Sequence, residues 1–328
     1  MKTSEKIIDY IQQNGQTTGV RLVDYLDITD RAVRKQLKTL LDSGKIIKVG
    51  KPPRVYYSLT PPPTSDEPDV YNLAVITKDV VEIIDNEFFY ISSRGTVHEG
   101  WKGFLYWCRE RKLDPRKTAE RYKKTIDKYY SYKKDGLIDG MYKLNASFEE
   151  VALDRVFYID FYSIEIFGKT KLGQLLLFAK QSQNRKLINE IVGIIEPVVL
   201  RVIDKYQIDG VGFIPPSVKR ELQLMKAIQN KLNLNVRILS INKIRTTVTV
   251  PQKTLSKIED RIINARETIS LDDTGIYKNI LLIDDALGSG ATLNEVAKKI
   301  RNKKMCTGQI VGLVITGSFK GFEVISEV

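Results

Sequence analysis

One stretch, residues 279–301 with sequence NILLIDDALGSGATLNEVAKKIR, constrains the fold of this 328-residue chain more than any other. Residues 280–283 are a short apolar run of the kind buried inside a parallel sheet. Leu293, Val296, Ala297 and Ile300 then recur at helical spacing. Between the two lies Asp284-Asp285-Ala-Leu-Gly-Ser-Gly-Ala-Thr292. A strand that runs through a Gly/Ser-rich turn into a helix aims free backbone N–H groups at one point. The helix dipole adds a favourable potential for an anion there. Gly288 and Gly290 let the backbone approach closely, and Ser289 and Thr292 add hydroxyl donors.

Three phosphate loops compete for this pattern. A Walker A loop needs Lys at the helix start, but Gly290 is followed by Ala291. A dinucleotide fingerprint GxGxxG needs Gly or Ala at position 293, which is Leu, and has no use for two preceding acids. The third is the phosphoribosyl diphosphate (PRPP) loop of type I phosphoribosyltransferases, which residues 280–292 resemble at nearly every position. The resemblance implies that Asp284 and Asp285 hold the ribose 2′- and 3′-hydroxyls. It also implies that Leu287, Gly288, Ser289, Gly290, Ala291 and Thr292 surround the 5′-phosphate. The chemistry is coherent: vicinal hydroxyls suit carboxylate acceptors, and a phosphate suits a helix N-terminus.

The surroundings extend the likeness. Residues 209–214 read as another short strand, followed by Pro215-Pro-Ser-Val-Lys-Arg220 and a helix with Leu222, Met225 and Ile228 on one face. Residues 236–239 read as the next strand. Arg245, Pro251-Gln252, Glu259, Arg261 and Asn264 precede the acid pair, a spacing similar to the ComF (competence-protein) branch of the family. Residues 167–180 resemble that branch's entry segment, so the likeness spans roughly 160–318. It is weak at the first loop, where the branch's RGFNQ is absent. ComF proteins typically begin with a cysteine zinc ribbon, which Cys108 and Cys306 cannot supply. The resemblance places Lys219, Arg220, Arg245 and Arg261 nearest the ligand's diphosphate, with Mg²⁺ carried on that diphosphate and no protein metal site. In an active transferase Asp284, Asp285 and Arg261 would be the catalytic residues, acting by positioning and electrostatics.

The chain carries 52 Lys+Arg, 40 Asp+Glu and one histidine, for a formal charge of +12. His98 alone excludes an HExxH helix or a multi-histidine zinc site within one chain. Two lone cysteines suit a reducing, cytosolic compartment. The charged N-terminus is not a signal peptide. The most apolar stretch, residues 191–203, is broken by Glu196, Pro197 and Arg201 and is too short to span a membrane.

The basic excess has two centres. Residues 215–266 hold eleven basic side chains against Glu221, Glu259 and Asp260, around the presumed diphosphate site. Lys226, Lys231 and Lys257 there read as solvated surface. Residues 1–60 hold eleven basic and six acidic side chains. Ser4 is positioned to cap a helix carrying Ile7, Ile8 and Ile11, which Gly15 ends. A short second helix would turn Val20, Val23 and Leu26 inward. Thr29 caps a third over 30–43, with Val33, Leu37, Leu40 and Leu41 on one face and Arg31, Arg34, Lys35 and Lys38 opposite. Strands over 45–49 and 54–59 follow, joined by a turn made basic by Lys51 and Arg54.

That order resembles a winged helix-turn-helix, which implies phosphate contacts from Arg31, Arg34, Lys35, Lys38, Lys51 and Arg54 on double-stranded DNA. Base reading would fall to Arg31, Arg34 or Gln36. Residues 61–69, PPPTSDEPD, form a stiff polar linker. Residues 70–155 are a mixed, mostly helical middle segment with no functional signature: 100–112 reads as a buried helix, and 115–135 as an exposed amphipathic one with Tyr122, Ile126 and Tyr129 inward.

The expected fold is therefore α/β: a parallel-sheet type I phosphoribosyltransferase domain over 156–328, preceded by a winged helix over 1–60 and the middle segment. Purine-operon repressors are similar in joining a winged helix to a phosphoribosyltransferase-type domain. That architecture implies a cytoplasmic transcriptional regulator that binds PRPP or a nucleotide. The alternative is an active transferase that moves phosphoribosyl onto a nitrogenous base. Nothing points to a membrane, and a homodimer is left open.

Overall fold

The structure, a computed structural model, describes residues 2–60, 76–218, 220–244 and 250–318, with the side chains of Lys51 and Lys253 left aside. The linker 61–69, Lys219, Arg245 and the C-terminal Phe319 and Phe322 lie outside the described residues. The chain divides into two compact units, Met1–Ala74 and Val75–Val328.

The first unit runs α1 Thr3–Asn14, α2 Gly19–Leu26, α3 Asp30–Asp42, β1 Ile46–Lys51 and β2 Arg54–Leu59. The two strands pair antiparallel, Ile46 opposite Leu59 and Lys51 opposite Arg54. Ile7, Ile11, Leu22, Val33, Leu37, Leu40 and Ile46 form its core. Two sequence expectations are corrected. The α1 cap is Lys2, whose backbone N–H donates to Glu5 Oε2 at 2.8 Å, so Ser4 sits inside the first turn. On α2, Leu22 is the buried residue and Val20 is 70% exposed. Val23 and Leu26 pack inward as expected, and Thr18 caps the helix, accepting from the Arg21 N–H. Thr29 caps α3 as the sequence predicts, accepting from the Ala32 N–H.

The second unit opens with α4 Lys78–Glu87, β3 Phe89–Ile91, β4 Val97–Glu99, α5 Gly100–Glu110 and α6 Pro115–Tyr130. It continues with β5 Lys133–Lys134, β6 Leu137–Asp139, α7 Met141–Ser147, β7 Arg155–Phe161, β8 Ser163–Ile164, β9 Gly168–Lys169, α8 Lys171–Ser182 and α9 Arg185–Lys205. It ends with β10 Gly210–Phe213, α10 Leu224–Leu232, β11 Arg237–Leu239, β12 Ile241–Lys243, α11 Ile258–Thr268, β13 Ile269–Leu271, β14 Ile280–Leu287, α12 Ala291–Asn302 and β15 Ile310–Gly317.

Seven strands form one sheet in the order β11-β10-β14-β15-β7-β6-β5. The first five are parallel, and β6 and β5 add an antiparallel hairpin at the edge. All eight residues of β15 are buried, as a central parallel strand requires. The two-residue alternation of β14 feeds two cores. Ile280 and Leu282 join Val80, Phe104, Tyr122 and Val296 on one face. Leu281 and Ile283 join Leu175, Ile191, Val199 and Ile228 on the other. The helices of residues 78–147 therefore share a core with the sheet.

Two boundaries differ from the sequence reading. The 115–135 helix stops at Tyr130, where the chain enters the β5–β6 hairpin. Leu222 precedes α10, which starts at Leu224. The interrupted run 191–203 lies within α9, which passes through Pro197 as one helix of 21 residues with Ile195, Val198, Val199 and Val202 buried in the core. Among the described residues no helix is long and apolar enough to cross a membrane.

The connections fix where a ligand fits. From β10 the chain crosses through α10 to β11 on one side, and from β14 through α12 to β15 on the other. β10 and β14 are neighbours. Their carboxyl ends therefore flank a crevice where strand order reverses, which is where open α/β sheets hold ligands.

Candidate functional site

A cleft of about 260 Å³ occupies this switch point. One wall is the turn after β14, residues 284–292, and the other is the 214–223 segment after β10, with Lys180, Lys243, Gln252 and Arg261 at its rim. The strand is longer than the apolar run predicts. It continues through both acids and pairs with β15 as far as Leu287 opposite Gly317. Asp284 and Asp285 thus project from rigid backbone.

The two carboxylates differ. Asp285 Oδ2 lies 2.6 Å from Lys180 Nζ, both groups largely buried. Asp284 Oδ1 accepts from the Asp285 N–H at 2.8 Å. Burial first, and then the adjacent Asp285, push the Asp284 carboxyl well above the ordinary carboxylate range. The pair is thus partly neutralised, by a lysine on one member and by a raised proton affinity on the other. Groups of this kind can both accept from and donate to hydroxyls.

Beyond the acids the backbone turns sharply. Gly290 is the N-cap of α12, at φ +79, and has no side chain of its own to cap the helix. A Cβ at Gly290 would meet Leu144 Cδ1 at 3.0 Å, so both the dihedral and the space require glycine. Ser289 is buried and accepts from the Ala291 N–H at 3.2 Å, while Thr292 is half-buried at the rim. The first turn of α12 thus faces the cleft with backbone donors and a positive dipole end.

On the opposite wall, the Arg220 guanidinium donates to the Lys180 carbonyl, and the Leu222 N–H donates to Gln183 Oε1 at 2.7 Å. Both bonds tie the 220–223 segment to the end of α8. Arg261 Nε donates to the Leu255 carbonyl at 2.7 Å, and Gln252 Nε2 donates to the Arg261 carbonyl at 3.0 Å. Its Nη1 stands 3.8 Å from where a Cβ on Gly288 would lie, which sets the guanidinium over the loop. Burial lowers its proton affinity slightly. Lys243 donates to Asn264 Oδ1 at 3.3 Å and to the Thr268 hydroxyl, and desolvation draws its ammonium below the usual value.

The site residues read from the sequence thus gather in one place: Asp284, Asp285, the 287–292 loop, Arg220, Gln252 and Arg261 all line the cleft. No known family model and no curated protein matches this chain. Among solved structures, a hypoxanthine phosphoribosyltransferase from Staphylococcus aureus aligns over 39% of this chain and 62% of its own, at 16% identity and a TM-score of 0.24. The likeness covers less than two thirds of that protein's length.

The structure adds cleft residues that the pattern of the sequence did not single out. Lys180 entered only as the end of a resembling segment, yet it is the counterion of Asp285. Lys243 and Gln223 line the cleft and also an adjoining cavity of about 570 Å³ bounded by Pro215, Met225, Ile241 and Asn264. Lys143 lies at the root of the loop: its Nζ donates to the Leu287 carbonyl at 3.3 Å and to the Ser318 carbonyl at 3.2 Å. No local pattern announces these lysines, because their partners are distant in sequence.

In the first unit, Arg31, Arg34, Lys35 and Lys38 are all exposed on α3, and Arg54 is exposed at the start of β2. Arg34 Nη2 lies 2.8 Å from Asp30 Oδ2, one turn away. His98, in the second unit, stacks on Tyr106 at 3.7 Å between ring centroids, a packing role.

Proposed function

We propose that the Val75–Val328 unit binds a phosphorylated ribose of the PRPP type, and that the chain is a DNA-binding regulator responding to that ligand. The observation that carries the ligand reading is the cleft at the sheet's switch point, which joins a carboxylate pair to a helix start and a rim of cations. In this reading Asp284 and Asp285 take the ribose hydroxyls, and residues 287–292 take the 5′-phosphate. Lys180, Arg220 and Arg261, with Lys219 and Arg245 from outside the described residues, face the diphosphate. In this reading Mg²⁺ arrives on the ligand's diphosphate. Bound there, Mg²⁺ would supply charge neutralisation on the diphosphate.

The first unit, in this reading, is a winged helix-turn-helix, with α3 as its recognition helix and the β1–β2 turn as its wing. Arg31, Arg34, Lys35 and Lys38 would contact DNA phosphates or bases, with Lys51 and Arg54 on the wing. PRPP or a nucleotide then shifts the population of the DNA-competent state through differential affinity.

A second reading, an active phosphoribosyltransferase, is favoured by the adjoining cavity, which shares Pro215, Gln223 and Lys243 with the cleft and offers room for a nitrogenous acceptor. There the chain's own residues hold the ribose and the leaving diphosphate in place while an oxocarbenium-like centre forms, and Arg261 and Arg220 stabilise the charge on the departing oxygens.

Titration calorimetry with PRPP and Mg²⁺ tests the ligand reading: binding to the intact chain is expected, and affinity untouched by Asp285→Asn would refute it. Incubation with PRPP and a panel of bases separates the two readings, since only the transferase releases diphosphate in a base-dependent manner.

A further inference from the structure

The middle segment reaches the loop from below at three points. Lys143 on α7 is 7% exposed, and its Nζ donates to the Leu287 carbonyl, the Ser318 carbonyl and the Ser318 hydroxyl at 3.2–3.3 Å. Leu144 is fully buried beneath Gly290. Asn294 on α12, also fully buried, accepts from the Ala152 N–H at 2.8 Å and donates to the Glu150 carbonyl at 3.0 Å.

Lys143 is the unusual member. An ammonium taken out of water is costly unless an acid offsets it. Among the described residues no carboxylate pairs with this one, and its partners are three oxygens at the carboxyl ends of two adjacent strands. Leu287 is the last residue of β14, opposite Gly317 of β15, and is followed directly by Gly288. The lysine thus gathers both strand ends at the place where the loop begins. An apolar residue would fill the same space without the desolvation cost, so the charge calls for a role in the loop rather than in the core.

We propose that Lys143 is a positioning residue for the 5′-phosphate: by tying Leu287 to Ser318 it fixes the root of the 288–292 loop, so that the amides at the start of α12 converge on the anion. The proposal rests on the ligand reading given above. It also assigns residues 141–152 a task, as the support on which the phosphate loop is built.

The test compares the full-length protein with Lys143→Met, Lys143→Gln and Lys143→Arg. The probes are ribose 5-phosphate, PRPP with Mg²⁺, and inorganic diphosphate with Mg²⁺, with thermal melting as the control for folding. Lys143→Met is expected to melt cooperatively and to lose about tenfold in affinity for both ribose 5-phosphate and PRPP while keeping that for diphosphate, which engages the opposite wall. Lys143→Arg is expected to recover most of the loss. Equal affinity of Lys143→Met and wild type for ribose 5-phosphate overturns the proposal, as does a uniform loss across all three probes, which marks a purely structural lysine. If Lys143→Met does not fold, Lys143→Gln is judged by the same criteria, and failure of both neutral variants to fold also overturns it. Wild type that binds none of the three probes refutes the ligand reading itself, and is thereby distinguished from a failure at Lys143 alone.

Discussion

Positive charge is carried differently in the two units. On α3 the cations Arg31, Arg34, Lys35 and Lys38 stand exposed along one helix face, and Arg34 has only its neighbour Asp30 for company. Around the cleft Lys180, Arg220, Lys243 and Arg261 are half-buried, each held by a carboxylate, carbonyl or side-chain oxygen. The first arrangement suits an extended polyanion met through mobile, solvated contacts, whose strength falls steeply with salt. The second suits a small anion met by preorganised groups, where the Coulomb interaction is less screened. On the proposed reading the two units would meet phosphate in two ways, and the difference between them is one of burial more than of charge count.

Substitutions at the acid pair test the buried half most strongly. Asp285→Asn removes a charged acceptor and strands Lys180, and the affinity for PRPP should fall by about 100-fold, or about 3 kcal/mol, by calorimetry. A loss below threefold would break the contrast by showing that the cleft does not depend on its buried pair.

Lys143 offers a second measure of burial. Desolvation pulls its ammonium down to about 8. A lysine whose folded value is depressed destabilises the protein fully below that pH. The penalty is relieved as pH rises from about 8 toward the unfolded value of about 10.4. The stability of wild type relative to Lys143→Met should therefore rise over that window by at most about 3 kcal/mol, as read from denaturant melts at matched pH. A flat difference would mean that the lysine is not desolvated in solution.

Gly290→Ala comes next. The positive φ and the Leu144 contact together should cost about 1–2 kcal/mol of stability and weaken PRPP binding with it, seen as a lower melting temperature and a higher Kd. The smallest effect belongs to the exposed half. Arg34→Ala should weaken DNA binding only a few-fold and flatten the salt slope by about one unit in a gel-shift series. An effect as large as that of Asp285→Asn would mean that α3 buries its cations on DNA as the cleft does on its ligand.

Legibility in the sequence followed distance along the chain. The turn from β14 into α12 could be read apart from the length of its strand, because strand run, acid pair, glycines and helix period lie within 23 consecutive residues, each constrained by its neighbours. The order of α1 to β2 was legible for the same reason, apart from Val20 and Leu22 on α2 and the cap of α1. The service of the middle segment was not, since Lys143 meets Leu287 and Ser318 across 144 and 175 residues. The Lys180–Asp285 pair is hidden in the same way.

The position of β15 has a further consequence. It lies between β14 and β7, yet it is the last of the three to be synthesised. As the chain leaves the ribosome, the first unit, built from contacts within 60 residues, can fold at once. The second must wait with two strand edges open until residue 317 emerges and fills the gap. Birth order thus sets the sequence in which the two units complete their folds, with the exposed cations of α3 in place before the cleft exists.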